Sequence, residues 1–246
     1  MSGEKLCIIL GAGASYGCAS SKKININADF RPPLVGDLFQ AKSIKGNILS
    51  FFPGAESLSS KFCYLDNGVA FEQKMKEESD RINLLSDRDP TFKDEWHKFF
   101  QIPFYLQRLF WEISTKYIST GPSLYSNLVE TVNEKFDEIV IISLNYDTLL
   151  EQAFLRYAPS YKLNVLKDYI SHPKIKIIKP HGSWNWGKIT LVPHELVEEA
   201  LYKNHEIQGI DRSVQVLSEM TQKPIFNKDI RIICPVNGKI FNRISD

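Results

Sequence analysis

The sequence has almost no excess of charge of either sign: thirty Lys and Arg face twenty-nine Asp and Glu in 246 residues, a formal net charge of +1. A protein that neutralises many phosphates carries a basic footprint, so direct nucleic-acid binding is not expected. Cysteine is scarce as well. The four cysteines, at 7, 18, 63 and 234, lie far apart and form no C-x-x-C pair. That spacing points away from a zinc ribbon and from a disulfide framework, and leaves reduced thiols in a cytoplasmic protein as the expectation. Long apolar runs are missing: Leu6-Cys7-Ile8-Ile9-Leu10 is too short for a secretory core segment and far too short for a membrane span of about 20 residues. Ser2 stands where myristoylation needs glycine. There is no internal repeat and no low-complexity segment.

What is present is an ordinary globular composition, 43% hydrophobic and 24% charged. A chain of this length buries roughly 70–75% of its unfolded surface, enough for a real core. Leu6 to Leu10, closed by Gly11, reads as a first strand buried on both faces of a parallel sheet. Ser20 to Gly36 is polar and carries Pro32 and Pro33, which predicts an irregular loop, followed by a short helical pattern over Leu34 to Ala41. Lys42 to Asn67 gives mixed signals. Phe71 to Ser86, Thr91 to Ser119 and Leu124 to Phe136 read as helix, with Pro103 expected to kink or split the second. A helical insertion around 68–136 therefore separates the first strand from the next, Glu138 to Ser143, which a helix over Asp147 to Tyr157 follows. Ile175 to Ile178 is a third strand, Ile189 to Val192 a short candidate, and Ile230 to Cys234 another. The expected fold class is α/β, a Rossmann-like parallel sheet with a helical insertion, in one domain spanning 1–246. Ligands of such sheets bind outside the carboxyl ends of the strands, where the turns at 11–17, 144–147 and 180–184 would meet.

Three turns carry residues suited to chemistry. Gly11-Ala12-Gly13-Ala14-Ser15-Tyr16-Gly17 joins a strand to an expected helix, where glycines allow a sharp bend and close approach of a diphosphate to backbone N–H groups. Its third glycine is one place later than the dinucleotide fingerprint G-x-G-x-x-G requires, and no acidic residue ends a second strand about 20 residues on, so a tight turn without a ligand stays open. In Leu144-Asn145-Tyr146-Asp147, Asp147 suits a helix cap, while Asn145 offers both a donor and an acceptor at a strand end, equally consistent with turn geometry and with holding a sugar hydroxyl or a water. His181, after Lys179-Pro180 and before Gly182-Ser183-Trp184, is the one histidine of five that combines a strand-end position with a glycine neighbour. It is a natural general base.

Together, the turns Gly11-Ala12-Gly13-Ala14-Ser15, Leu144-Asn145-Tyr146-Asp147 and Pro180-His181-Gly182-Ser183, in this order, resemble the sirtuin family and its bacterial sirtuin-like branch. Arg31-Pro32-Pro33-Leu34 with Asp37-Leu38 resembles the proline-bearing segment that follows the family's glycine turn, and Phe71-Glu72 its acidic helix start. The resemblance implies an NAD site. Gly11, Ala12, Gly13 and Ser15 would cradle the diphosphate and neighbouring ribose, with Gly182 and Ser183 also among the NAD-binding residues. Asn145 would position a water or a ribose hydroxyl, Asp147 would contact the nicotinamide carboxamide, and His181 would act as general base. Sirtuin deacylases hold a zinc module with two C-x-x-C pairs, which this sequence lacks, so no metal is expected and protein deacylation loses support. Relatives without that module often hydrolyse NAD, many of them in bacterial anti-phage defence.

The resemblance thus implies an NAD glycohydrolase, with NAD as substrate, that depletes the cell of NAD during infection. Two readings stay beside it: a non-catalytic NAD or ADP-ribose sensor or assembly module, and an NAD-dependent deacylase or ADP-ribosyltransferase. Control by homo-oligomerisation, or by a partner protein or further domain, is expected because an unregulated enzyme of this kind would be toxic. The chain is expected to be the N-terminal part of a longer protein, and no membrane association is expected.

Overall fold

The computed structural model describes residues 4–18, 30–40, 44–63, 71–85, 89–117, 123–158, 160–191, 214–216 and 231–235. Strand β1 (Lys5–Leu10) runs directly into helix α1 (Ala12–Gly17). Helices α2 (Ile44–Leu49), α3 (Pro53–Leu58), α4 (Phe71–Asn83), α5 (Phe92–Lys116) and α6 (Leu124–Lys135) precede β2 (Glu138–Ser143). Helices α7 (Leu149–Tyr157) and α8 (Asp168–Ser171) then cross over to β3 (Ile175–Ile178). The three strands pair in the order β1-β2-β3, both pairs parallel, with Ile8 opposite Ile141 and Ile141 opposite Ile177. This parallel sheet with helical crossovers is an α/β, Rossmann-like architecture.

Strand register explains where the core lies. Period-two alternation puts Leu6, Ile8 and Leu10 on one face with Ile139, Ile141, Ile175 and Ile177. That face joins Val129 and Val132 of α6 and Leu150 and Phe154 of α7 in the hydrophobic core. The other face of β1 is open, with Cys7 exposed and Ile9 at 68% exposure. The expectation of a first strand buried on both faces is therefore corrected: a short apolar run reads the same whether one face or both are covered. At the amino ends of the strands, Glu138 bridges Lys5 at 2.7 Å and Lys176 at 2.9 Å, and these two ammonium groups hold its carboxyl down at about 2.

Further differences have local causes. The glycine segment does not make a bend of several residues, because α1 starts at Ala12 with Gly11 as its extended cap. The helical pattern after Leu34 forms a single 3-10 turn, Val35–Asp37. Helix α5 continues unsplit through Pro103, with Phe99, Ile102, Phe104 and Tyr105 buried on either side. Packing of these side chains offsets the one intrahelical bond that proline removes. β4 (Trp186–Leu191), β5 (Val214–Val216) and β6 (Arg231–Pro235) form a separate antiparallel sheet in the order β5-β4-β6 and do not extend the parallel one. Residues 20–29, Val192, His194, His205 and Ile230, which the sequence reading also used, lie outside the described residues.

The helical part is welded by aromatic rings. Phe39 stacks on Phe62 with centroids 5.3 Å apart and packs against Phe71 and Tyr105 at 6.1 and 5.2 Å. The Tyr105 hydroxyl donates to the Leu38 carbonyl at 2.5 Å, tying the segment before α2 to α5. Helix α6 starts at a reciprocal cap, with Ser126 N–H donating to Ser123 Oγ at 3.1 Å and Ser123 N–H to Ser126 Oγ at 2.6 Å. Where α3 crosses α5 there is no room for a side chain. Gly54 N–H donates to Gln101 Oε1 at 2.8 Å, and a β-carbon on Gly54 would stand 2.7 Å from the Lys98 Cα. Because that neighbour is backbone, Gly54→Ala is expected to force the helices apart and cost about 1–3 kcal/mol, read as a lower urea midpoint with unchanged slope.

Candidate functional site

The carboxyl ends of β1, β2 and β3 bring the three turns together by named hydrogen bonds. Leu144 N–H donates to the Leu10 carbonyl at 2.8 Å, and Asn145 Nδ2 donates to the Gly11 carbonyl at 3.0 Å, so the first and second turns share an edge. Trp184 N–H donates to the Tyr146 carbonyl at 3.0 Å and Ser183 Oγ to the same carbonyl at 3.3 Å, which joins the third turn to the second. Gly182, at φ 80°, is in the left-handed region where other residues are strained, so glycine there follows from turn geometry alone.

Asn145 is 5% exposed. Its amide nitrogen also lies 2.9 Å from Ser15 Oγ and 3.3 Å from the Tyr125 hydroxyl of α6. Ser15 is buried with its hydroxyl 2.9 Å from that of Tyr125. Burial pushes the Tyr125 hydroxyl well above its usual range, so it stays protonated as a neutral hydrogen-bonding group. The same junction includes Cys18, whose carbonyl accepts from Leu124 N–H at 2.8 Å. Burial raises its thiol to about 12, which removes thiolate chemistry at neutral pH.

Beneath the turns lies a buried charge cluster. Lys179 has no exposed side-chain surface and Glu151 only 5%, and their ion pair closes to 2.7 Å. The Lys179 ammonium also donates to the Asp147 carbonyl at 2.6 Å and to Ser183 Oγ at 2.8 Å, using all three N–H groups on three different segments. Asp147 is buried, accepts from Leu149 N–H at 3.1 Å, and so caps α7 from one residue before the helix's own cap, Thr148. Burial holds its carboxyl above the usual carboxylate range, against the pull of Lys179 and of the Ser15 hydroxyl.

His181 is at the rim, with 31% of its side chain exposed. Its Nδ1 lies 3.6 Å from Glu72 Oε1 at the start of α4. The Tyr146 hydroxyl donates to the same carboxylate oxygen at 3.3 Å, and its ring lies 6.3 Å from the imidazole. By contrast, His172 uses Nδ1 to accept from Lys174 and Ile175 N–H, a structural turn. On the other flank, Arg31 places its guanidinium over the Tyr16 ring at 4.8 Å, leaving a cation beside α1.

The glycines of the first turn do not have positive φ, and a β-carbon on Gly11, Gly13 or Gly17 would meet nothing within 4 Å. Local packing therefore does not require them, and the space above them is open to a ligand that approaches the backbone. Residues 139–222 match the family model of the SIR2-like domain. Over those residues the chain is similar to SIR2-like domains. The match takes in the Asn145 and His181 turns, and the glycine turn is bonded to it through Asn145. No curated protein matches the chain. SIR2-like domains use NAD and many are NAD-dependent enzymes. The backbone at Gly11 and Gly13 is open at the start of α1, and Arg31 stands over Tyr16 of the same helix.

Among the described residues no group of three or more His, Cys, Asp or Glu is placed to hold a metal ion, and no helix is long and apolar enough to cross a membrane.

The structure thus brings Gly11, Ala12, Gly13, Ser15, Asn145, Asp147, His181, Gly182 and Ser183 to one edge of the parallel sheet. It adds Tyr125, Glu151 and Lys179, which sequence reasoning passed over. The signal for Lys179 was present: a lysine directly after the apolar strand end Ile177-Ile178 has little water to face.

Two outcomes follow for this cluster. Lys179→Met leaves Glu151 and Asp147 buried without their counter-charge and is expected to destabilise by about 3–5 kcal/mol, measured by denaturant titration. Asp147→Asn acts in the opposite direction. A carboxyl raised in the fold favours folding only while protonated, so the wild type loses stability relative to the amide as pH rises above the unfolded value of about 3.9. The melting temperature of Asp147→Asn should match the wild type below about pH 4 and exceed it near neutrality.

Proposed function

We propose that this protein is an NAD glycohydrolase that cleaves the nicotinamide–ribose bond to give ADP-ribose and nicotinamide. The observation that carries this reading is the hydrogen bond from Asn145 to the Gly11 carbonyl, which sets a polar strand-end residue against open backbone suited to a diphosphate, with the His181 turn bonded alongside. Gly11, Ala12 and Gly13 hold the diphosphate through the backbone, helped by Arg31. Ser15, whose hydroxyl is bonded inside the protein, holds Asn145 in place and lends the ligand its main chain. Gly182 and Ser183 keep the third turn against the second.

Nicotinamide is a cationic substituent that departs as a neutral molecule, so the site has no leaving group to protonate. It must stabilise oxocarbenium-like charge at the ribose and deliver water. Asn145, whose amide nitrogen is committed to Gly11 and Ser15, offers its oxygen to the water or to a ribose hydroxyl. Asp147 faces the carboxamide, and a carboxyl raised by burial suits a donor to that group. His181 accepts the proton released as the water's oxygen bonds to the anomeric carbon. Holding that water within about 3–3.5 Å of the carbon is the positioning contribution. NAD depletion in anti-phage defence, with activity controlled by self-association or a partner, is the biological role we attach to this chemistry, on the strength of the three-motif resemblance.

A second reading has one observation in its favour. Asn145 and Ser15 spend their hydrogen bonds within the protein, as they would in a module that binds NAD or ADP-ribose without turnover. One assay separates the two. The chain is incubated with NAD over a range of protein concentrations while nicotinamide and ADP-ribose are measured. Stoichiometric release of both, rising more than linearly with protein if self-association activates, is expected; ADP-ribose binding without release at any concentration favours the sensor. In the hydrolase, His181→Ala is expected to lower turnover by about 10²–10⁴-fold while fold and ADP-ribose binding persist. Undiminished turnover in that variant contradicts the role given to His181.

A further inference from the structure

The carboxylate of Glu72 belongs to no part of the NAD site described so far, yet it is the acidic group that faces His181. It reaches the imidazole from a different part of the fold: α4 lies in the helical region, whereas His181 leaves β3. Glu72 Oε1 is 3.6 Å from His181 Nδ1 and accepts the Tyr146 hydroxyl at 3.3 Å. Tyr146 in turn packs its ring on Phe110 of α5 at 5.5 Å, so the carboxylate is held from a side that is itself fixed by packing. Burial and the nearby carboxylate raise the Tyr146 hydroxyl well above its usual range, which keeps it a proton donor to Glu72.

The geometry points to Glu72 as the positioning residue of His181, selecting the tautomer that carries its proton on Nδ1 and leaves Nε2 as the base. This rests on the hydrolase reading for its effect on rate, although the contact itself does not. A separation of 3.6 Å is just beyond hydrogen-bond range, and a small rotation of either half-exposed side chain closes it. A carboxylate on one imidazole nitrogen fixes which nitrogen keeps the proton and orients the ring. The same charge stabilises the imidazolium formed when Nε2 takes a proton from water or from a ribose hydroxyl, as in carboxylate–histidine pairs of other hydrolases. With 40% of its side chain exposed, Glu72 is more solvated than a fully buried partner, so its effect is smaller than that of removing the base. The remaining charged groups of the third turn do not compete, because Lys179 spends its donors on Asp147, Glu151 and Ser183.

The test reads the tautomer directly. The full chain labelled with 15N in its histidine rings is examined by long-range 1H–15N correlation, with His181→Ala identifying the His181 signals. Wild-type His181 in its neutral form should carry the proton on Nδ1. Glu72→Ala should shift the population towards Nε2–H, whereas Glu72→Gln, which keeps an acceptor at the same place, should retain Nδ1–H. On NAD, Glu72→Ala should lower kcat about 10- to 100-fold with KM changed less than about threefold, and Glu72→Gln should recover most of kcat. An Nε2–H proton in the wild type, or identical ring signals in wild type and Glu72→Ala, overturns the proposal. If the chain releases no nicotinamide, the hydrolase reading fails by itself, and the ring signals still decide the role of Glu72. Should Glu72→Ala fail to fold, Glu72→Leu, which removes the acceptor but keeps the apolar stem, supplies the comparison: loss of the Nδ1–H tautomer is expected there, and its retention overturns the proposal.

Discussion

The buried ammonium of Lys179 is the constraint on which the site depends. It stands at the end of β3, out of contact with water, and its three bonds go to the Asp147 carbonyl, the Glu151 carboxylate and the Ser183 hydroxyl. One side chain therefore sets the distance between the second turn, the helix that follows it and the third turn. A buried charge is costly unless each of its partners is in place, so the arrangement is close to all-or-none. Burial is the main reason the Asp147 carboxyl is raised, against the pull of Lys179, with the negative charge of Glu151 adding a smaller push in the same direction. His181, the proposed base, is two residues beyond Lys179, close enough for this anchoring to fix its backbone.

The helical part supplies the rest of the site, which gives it a role beyond covering the sheet. Tyr125 of α6 reaches Ser15 and Asn145, Ser114 of α5 accepts from Thr148 N–H at 3.2 Å, and Gln107 Nε2 donates to the Trp184 carbonyl at 3.0 Å. Glu72 of α4 meets His181 from the open side. Each of the three turns thus touches a helix from the region between β1 and β2. The parallel sheet edge provides backbone and charge, and the helices provide the hydroxyls, amides and carboxylate that orient it.

Much of this was legible in the sequence, and what was not has physical reasons. The bounds of β2 and β3 follow from β-branched runs with no competing signal, and the helices α4, α5 and α6 from their spacing of apolar residues. The convergence of the turns follows from parallel strand order, since the carboxyl ends must share an edge. One-sided exposure of β1 was not legible, because Cys7 and Ile9 are as apolar as Leu6 and Ile8. The antiparallel pairing of β4 was hidden for a related reason: short strands do not announce their partners. Lys179 and Glu151 were missed because neither has an opposite charge beside it in sequence, and each acquires its partner only through the crossover of α7 and β3. The commitment of the Asn145 amide to Gly11, Ser15 and Tyr125 could not be read locally, since it joins residues 134, 130 and 20 positions apart.

The central claim is that the three turns form one dinucleotide site. Titration of ADP-ribose into the 15N-labelled chain, followed through backbone amide shifts, tests it most directly. The account predicts saturable shifts centred on Gly11 to Ser15, Leu144 to Asp147, and Gly182 and Ser183. Saturable binding that leaves all three groups of amides unmoved, with shifts on α2, α3 or the antiparallel sheet instead, would contradict it.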